Sequence, residues 1–175
     1  MDTEPLPILL MPDPHLRRRA RAVLAADADA VRAVAPRMLA AMYAAPGIGL
    51  AAPQVGSDLR LVVMDLAREG EEPKPMVLIN PEIVAVSRET AIREEGCLSL
   101  PGQYADVERP ARVKARWEEA DGAKREIEAE GLLAVCLQHE VDHLNGILFV
   151  DHISALKRNM LLRKLAKELK AKQRP

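Results

Sequence analysis

An α+β fold is what the sequence predicts, because helical and strand periods both occur along one chain. Val31, Val34, Met38 and Met42 recur at helical spacing, as do Leu132, Val135/Cys136, His139 and His143. Between these stretches lie β-branched, Leu-rich runs at 59–65 and 76–86. Over 112–130, apolar and charged residues alternate on either side of Asp121-Gly122.

In chain order, residues up to Val23 mix Pro, Arg and Leu and read as an extended arm. A helix over about 29–44 follows, with Pro36 expected to kink or restart it and Pro46-Gly47 to end it. The charged, Pro-containing segment 70–75 reads as a surface loop between the two strand runs. In the alternating stretch, a two-residue Asp-Gly turn would set Trp117 opposite Glu126 and mix the faces. A three-residue loop, Ala120-Asp121-Gly122 with a left-handed glycine, restores parity. It also opposes Glu118 to Lys124, Arg116 to Glu126, Lys114 to Glu128 and Arg112 to Glu130, each pair worth roughly 0.2–1 kcal/mol. Beyond Glu130 the period becomes helical until Asn145-Gly146, and a last helix is expected from the N-cap Ser154 to near Lys172.

The chain of 175 residues shows no internal repeat, low-complexity block or linker, so 1–175 is expected to be a single domain with a basic helical tail at 157–175. Trp117, Tyr43, Tyr104 and Phe149 are the only aromatics, which leaves the core to Leu, Val, Ile, Ala and Met. A formal net charge of −1 gives no global pull toward DNA or membrane, and no apolar run is long enough to span a bilayer. The tail nevertheless holds eight basic residues against Glu168, a local +7 that leaves −8 for the rest. Asp2, Glu4 and Pro12 are wrong for a secretory signal, so Cys97 and Cys136 read as reduced thiols of a cytoplasmic protein.

The chemistry concentrates in His139-Glu140-Val141-Asp142-His143. Histidines four apart on a helix sit one above the other and can share a metal ion, with Glu140 beside them to take a proton from water. Two imidazoles do not complete a catalytic site, which usually has three protein ligands and an open position. No ligand follows downstream, and His152 falls too near a turn. The third is therefore sought in Glu95-Gly96-Cys97-Leu98-Ser99, where the Cys97 thiolate suits zinc or ferrous iron. The segment 47–54, Gly-Ile-Gly-Leu-Ala-Ala-Pro-Gln, reads as a crowded, bent loop with Ile48 and Leu50 toward an apolar pocket and Gln54 presenting an amide. It lacks the Lys-Ser/Thr of a phosphate loop.

Taken together, GIGLAAPQ at 47–54, EGCLS at 95–99 and QHEVDHLNG at 138–146 resemble the three signature motifs of the peptide deformylases, in order and separation, with no departure at any signature position. The resemblance extends over nearly the whole chain. It implies short mixed or antiparallel sheets wrapped around the helix of His139 and His143, with an N-terminal helix and a C-terminal amphipathic one. It implies hydrolysis of the N-formyl group from the formyl-methionine of nascent polypeptides, releasing formate. A metal-activated water would attack the formyl carbon, with Glu140 as general base and then acid. Cys97, His139 and His143 would hold one divalent ion, Fe2+ in the cell, with Zn2+, Ni2+ or Co2+ able to substitute. Gln54 and the Leu98 backbone N–H would stabilise the oxyanion, and Gly49 belongs to the same catalytic group. An apolar slot for methionine would be walled by Ile48, Leu132, Val135 and Cys136, each of which also fits plain core. Arg109 falls where the family often has an arginine near the substrate.

Two readings of the tail stand. Leu161, Leu162, Leu165 and Leu169 form a stripe that could simply dock on the body. The surrounding cations could instead bind ribosomal RNA, as the family's helical tails suggest. Rival functions are a metallopeptidase cutting internal peptide bonds, and a non-catalytic metal protein. The upstream Cys argues against the first, and a three-ligand set with an intact Glu140 against the second.

Overall fold

A computed structural model describes residues 3–174; Met1, Asp2 and Pro175 lie outside them. The arm is extended apart from one 3-10 turn at Pro14–Arg17. Helix α1 spans Ala28–Ala44 and runs through Pro36 without restarting. Burial of Val31, Ala35, Met38, Ala41 and Met42 on both sides of the proline holds the helix where local preference would break it.

Five strands form an antiparallel sheet in the order β1-β2-β3-β6-β7, with β1 at Gly49–Ala51, β2 at Leu61–Met64, β3 at Met76–Val86, β6 at Arg112–Glu118 and β7 at Lys124–Glu130. Strand β2 is apolar throughout because both of its faces are covered. Val62 and Met64 join a core with Ala134, Cys136, Leu137 and Leu144, whereas Leu61 and Val63 join one with Met38, Ala41 and Met42. The first set of partners belongs to α2, Gly131–Leu144, and the second to α1, so the two helices cover opposite faces of the sheet.

The β6–β7 hairpin has the predicted register, including Arg112 opposite Glu130 and Glu118 opposite Lys124. Glu119 N–H donates to the Ala123 carbonyl, leaving Ala120-Asp121-Gly122 as the loop, with Gly122 at φ +88°. The cations reach other partners than those directly opposed: Arg116 bonds Glu82, Arg112 bonds Glu89, and Lys114 reaches diagonally to Glu126. All are exposed, so the apolar face contributes more to the register than they do.

Three strands were not expected: β1, in the segment read as a bent loop, and β4, Thr90–Cys97, and β5, Leu100–Pro110, which form a separate two-stranded sheet. Cys97 pairs with Leu100 across the turn residues Leu98 and Ser99, and the register slips between Gly96 and Cys97. Such a bulge re-aims side chains beside it. Helix α2 stops at Leu144, and just beyond it Gly146 has a φ of +73° that suits glycine, where a side chain would collide with the Arg17 carbonyl. Helix α3, Ala155–Lys172, is capped by Ser154, whose hydroxyl accepts from Lys157 N–H. Its stripe of Leu161, Leu162, Leu165 and Leu169 docks on Leu100, Val107 and Phe149. No helix of the described residues is long and apolar enough to cross a membrane.

Candidate metal centre and active site

Helix α2 carries His139 and His143 one turn apart, and the β4–β5 turn brings Cys97 against them. Cys97 Sγ lies 3.3 Å from His143 Nε2, which lies 3.2 Å from His139 Nε2. The three donor atoms all fall within 4.8 Å of one another. Phe149 stacks on the His139 ring. Glu95, buried two residues before Cys97, accepts from His139 Nδ1 at 2.9 Å. A carboxylate on Nδ1 fixes the tautomer that leaves the Nε2 lone pair facing the cluster.

Burial and mutual contact shift the two imidazoles in opposite directions. Burial disfavours charge on His139, but the hydrogen bonds to Cys97 and Glu95 and the nearby Glu140 outweigh it and push its pKa up to about 10. Burial and the charge of His139 push His143 the other way. The convergence of one sulfur and two imidazole nitrogens suits a divalent ion such as zinc or ferrous iron, so the residues fit a metal.

Glu140 is buried, with Oε1 3.9 Å from His139 Nε2 and Oε2 without a hydrogen-bond partner among the described residues. Burial raises its pKa to about 7. Gln54 is also buried. Its Oε1 accepts from Ala51 N–H at 2.9 Å, while Nε2 donates to Ser99 Oγ at 3.1 Å and approaches Cys97 Sγ at 3.6 Å. Ala51 N–H can only donate, so the amide cannot flip, and its NH2 stays on the side of the thiol.

The two glycines of 47–54 are required by space. A Cβ on Gly47 would lie 2.7 Å from Leu98 Cδ1; one on Gly49 would lie 2.9 Å from Cys136 Sγ and 3.0 Å from Glu140 Oε1. The glycine backbone of 47–54 therefore packs directly against side chains of the other two motifs, Leu98 and Glu140. Beside them opens a cleft of about 690 Å³, lined by Ile48, Leu98, Tyr104, Leu132, Val135 and Cys136 as well as by Cys97, His139 and Glu140.

The family model for polypeptide deformylase matches residues 5–159. The chain belongs to the peptide deformylase family. A peptide deformylase of Agrobacterium fabrum is 53% identical over 166 residues, covering 95% of this chain and 97% of that protein. Among solved structures, a peptide deformylase from Legionella pneumophila superposes with a TM-score of 0.88 at 44% identity, covering 98% of this chain and 99% of that one. One from Synechococcus elongatus, in complex with actinonin, gives 0.87 at 45% identity, covering 95% and 90%. The chain is accordingly a metal-dependent hydrolase.

Two expectations for this deformylase need correction. Leu50 does not face the cleft: it alternates to the α1 side of the sheet and is fully buried there. Arg109 is not on the cleft either. It is 4% exposed and lies behind the metal centre, with Nε and Nη2 on Glu95 at 2.7 and 3.0 Å and Nη1 on Asp142 at 2.8 Å. Its outer side meets a separate polar cavity of about 550 Å³ that also includes His152, which bonds Asp142 at 2.8 Å and stays away from the metal donors. Burial opposes both charges of the Arg109–Glu95 pair, yet the bonds from His139 and Arg109 hold Glu95 below, and those to Glu95 and Asp142 hold Arg109 above, the ordinary ranges. Sequence reasoning missed Glu95 as the partner of His139, because a lone acid next to glycine carries no periodic signal.

Proposed function

We propose that this deformylase hydrolyses the N-formyl group of formyl-methionyl nascent peptides as a single catalytic domain, releasing formate and a free amine. The observation that carries the reading is the approach of one thiol and two imidazoles to within 4.8 Å, with a buried carboxyl alongside. Fe2+ is the ion we assign in the cell, with Zn2+, Ni2+ or Co2+ able to substitute, held by Cys97, His139 and His143. When bound, such an ion supplies Lewis acidity, bringing the pKa of water toward neutrality and polarising a carbonyl. The setting we assign is the cytoplasm, where Cys97 and Cys136, both free thiols, stay reduced.

Glu140 Oε2 takes the proton of the attacking water and returns it to the amine nitrogen as the carbon–nitrogen bond breaks. Gln54 keeps one Nε2 proton on Ser99 and offers the other to the oxygen that gains charge, joined by the Leu98 N–H from the β4–β5 turn. Gly49 lets the backbone come close to Glu140. Ile48, Leu132, Val135 and Cys136 form the apolar wall for the methionine side chain, whose flexibility suits such a slot. Strands β1 and β4 each border the cleft with an edge that pairs no other strand, so an extended peptide can add to them by backbone hydrogen bonds.

Formate release from a formyl-methionyl peptide, run beside cleavage of its unformylated counterpart, tests the reading. Formate from the first and no internal cleavage of the second is expected; the reverse would make the chain a metallopeptidase. In the same assay Gln54→Ala should lower kcat by about 100- to 1,000-fold, the usual cost of one oxyanion donor. Retention of wild-type kcat would remove Gln54 from this role.

The tail supports a second partner. With the leucine stripe docked, Lys157, Arg163, Lys164, Lys167, Lys170 and Lys172 remain exposed on α3. We assign them salt-sensitive contact with ribosomal RNA phosphates. Cosedimentation with ribosomes should be lost at high salt and in a charge-reversed tail; equal pelleting of that variant would overturn it.

A further inference from the structure

We infer that the polar cavity behind the metal centre is a binding site for a small phosphate-bearing anion, held by Arg19 and Arg60 together with the Asn145 amide. The site is separate from the cleft and stands or falls independently of the deformylase reading.

Four arginines fall within 17–21, and three of their side chains are engaged. Arg17 pairs with Asp151, Arg18 meets His15, and Arg21 pairs with Asp27 and Asp58. The Arg19 side chain has no ion pair or hydrogen bond among the described residues. Its backbone is nevertheless pinned, because Ala20 N–H donates to the Leu144 carbonyl at 2.8 Å and Arg21 N–H to the Asp58 carbonyl at 2.7 Å. The arm therefore runs against the end of α2. Arg60, just before β2, places Nη1 on the Ala20 and Leu144 carbonyls at 3.2 and 3.1 Å. No carboxylate lies within ion-pair reach of it among the described residues. Arg19 and Arg60 line the cavity of about 550 Å³, along with Arg109 and Asn145.

Three acids share this lining, and each is bonded elsewhere. Glu82 pairs with Arg116, Asp142 with Arg109 and His152, and Glu108 accepts from the Thr90 hydroxyl. Two cations are left without a carboxylate. Burial and then the charge of Arg19 hold Arg60 below the usual arginine range, although Glu82 acts the other way. An anion between like charges is attracted by both. The Asn145 amide makes no hydrogen bond among the described residues, and its Oδ1 is buried. Its NH2 and the two guanidinium forks are donors that match the oxygens of a phosphate group. The volume falls in the range of about 300–1,000 Å³ usual for small-molecule sites, which leaves room for a small organic group on the phosphate. The competing explanation is that Arg60 only caps the last carbonyls of α2. That role uses Nη1 alone and gives no account of Arg19.

Isothermal titration calorimetry of the metal-loaded protein with inorganic phosphate, and separately with glycerol 3-phosphate, tests the site at constant ionic strength. A single equivalent should bind. Arg19→Glu should weaken binding by about tenfold or more, as loss of a charge-assisted hydrogen bond implies. Arg19→Lys, which keeps the charge, should lose less. Arg19 is exposed, so both variants should fold and release formate as the wild type does. Phosphate should leave the KM for a formyl-methionyl peptide unchanged. A rise in that KM would place the anion at the metal centre and overturn the proposal. So would absence of binding to the wild type, or wild-type affinity in Arg19→Glu. Tighter binding of glycerol 3-phosphate than of phosphate makes the ester the occupant, and the opposite order makes it the free anion; either order supports the site. Formate release by the unliganded wild type reports on the deformylase reading alone, so the two can fail separately.

Discussion

Glu140→Gln should lower kcat by at least about 100-fold while the bound ion stays at wild-type content. The amide has the shape of the carboxylate but cannot accept and carry the proton, and Glu140 is not among the three donors that converge. Loss of the ion along with activity would assign Glu140 to the metal, and near wild-type kcat would remove it from proton transfer. The pH profile gives the sign. Burial raises the Glu140 pKa to about 7, and the base form is the charged one, so kcat/KM falls as pH drops through that value. A cation beside the carboxylate favours its charge, so in the loaded enzyme this acid limb lies below pH 7. The limb should vanish from the residual activity of the glutamine variant.

The second large effect is structural in origin and reaches the metal. Arg109→Leu leaves Glu95 as a buried charge with its main partner gone, which typically costs about 3–5 kcal/mol. Glu95 also aligns His139, and loss of such a partner typically weakens metal binding about 10- to 100-fold. Thermal unfolding and metal titration of this variant should show both losses. The pH dependence is fixed by the same pair. The folded pKa of Glu95 is depressed, so its contribution is present above the unfolded carboxylate value and is lost as pH falls through the folded one. In the variant, protonation of Glu95 relieves the penalty. The stability gap should therefore narrow toward acid; a gap that is constant or widens there would contradict a charge-based origin.

Legibility in the sequence followed burial pattern. The β6–β7 register was readable because Val113, Ala115 and Trp117 face one core and charges face water, so parity alone chose the loop. Helix α3 was readable from Ser154 and its leucine stripe. The β4–β5 sheet was not. Most of β4 is exposed on both faces, and two of the inward positions on β5 are the polar Gln103 and Arg109, which erase the alternation. The same substitution of polar for apolar hid the role of Arg109: an arginine in a Val-Glu-Arg-Pro stretch reads as surface, and only three-dimensional packing supplies Glu95 and Asp142 around it. Leu50 was misplaced because a bent loop has no fixed period, whereas the segment is a short strand covered on both faces.

The most direct test of the whole account is elemental analysis coupled to formate release, on the wild type and on Cys97→Ala prepared alike. One divalent ion per chain with formate production in the wild type, and loss of both in the variant, is the expected result. A variant that keeps a full equivalent of ion and wild-type turnover would mean that the sulfur of residue 97 does not hold the metal, however close it lies to the two imidazoles.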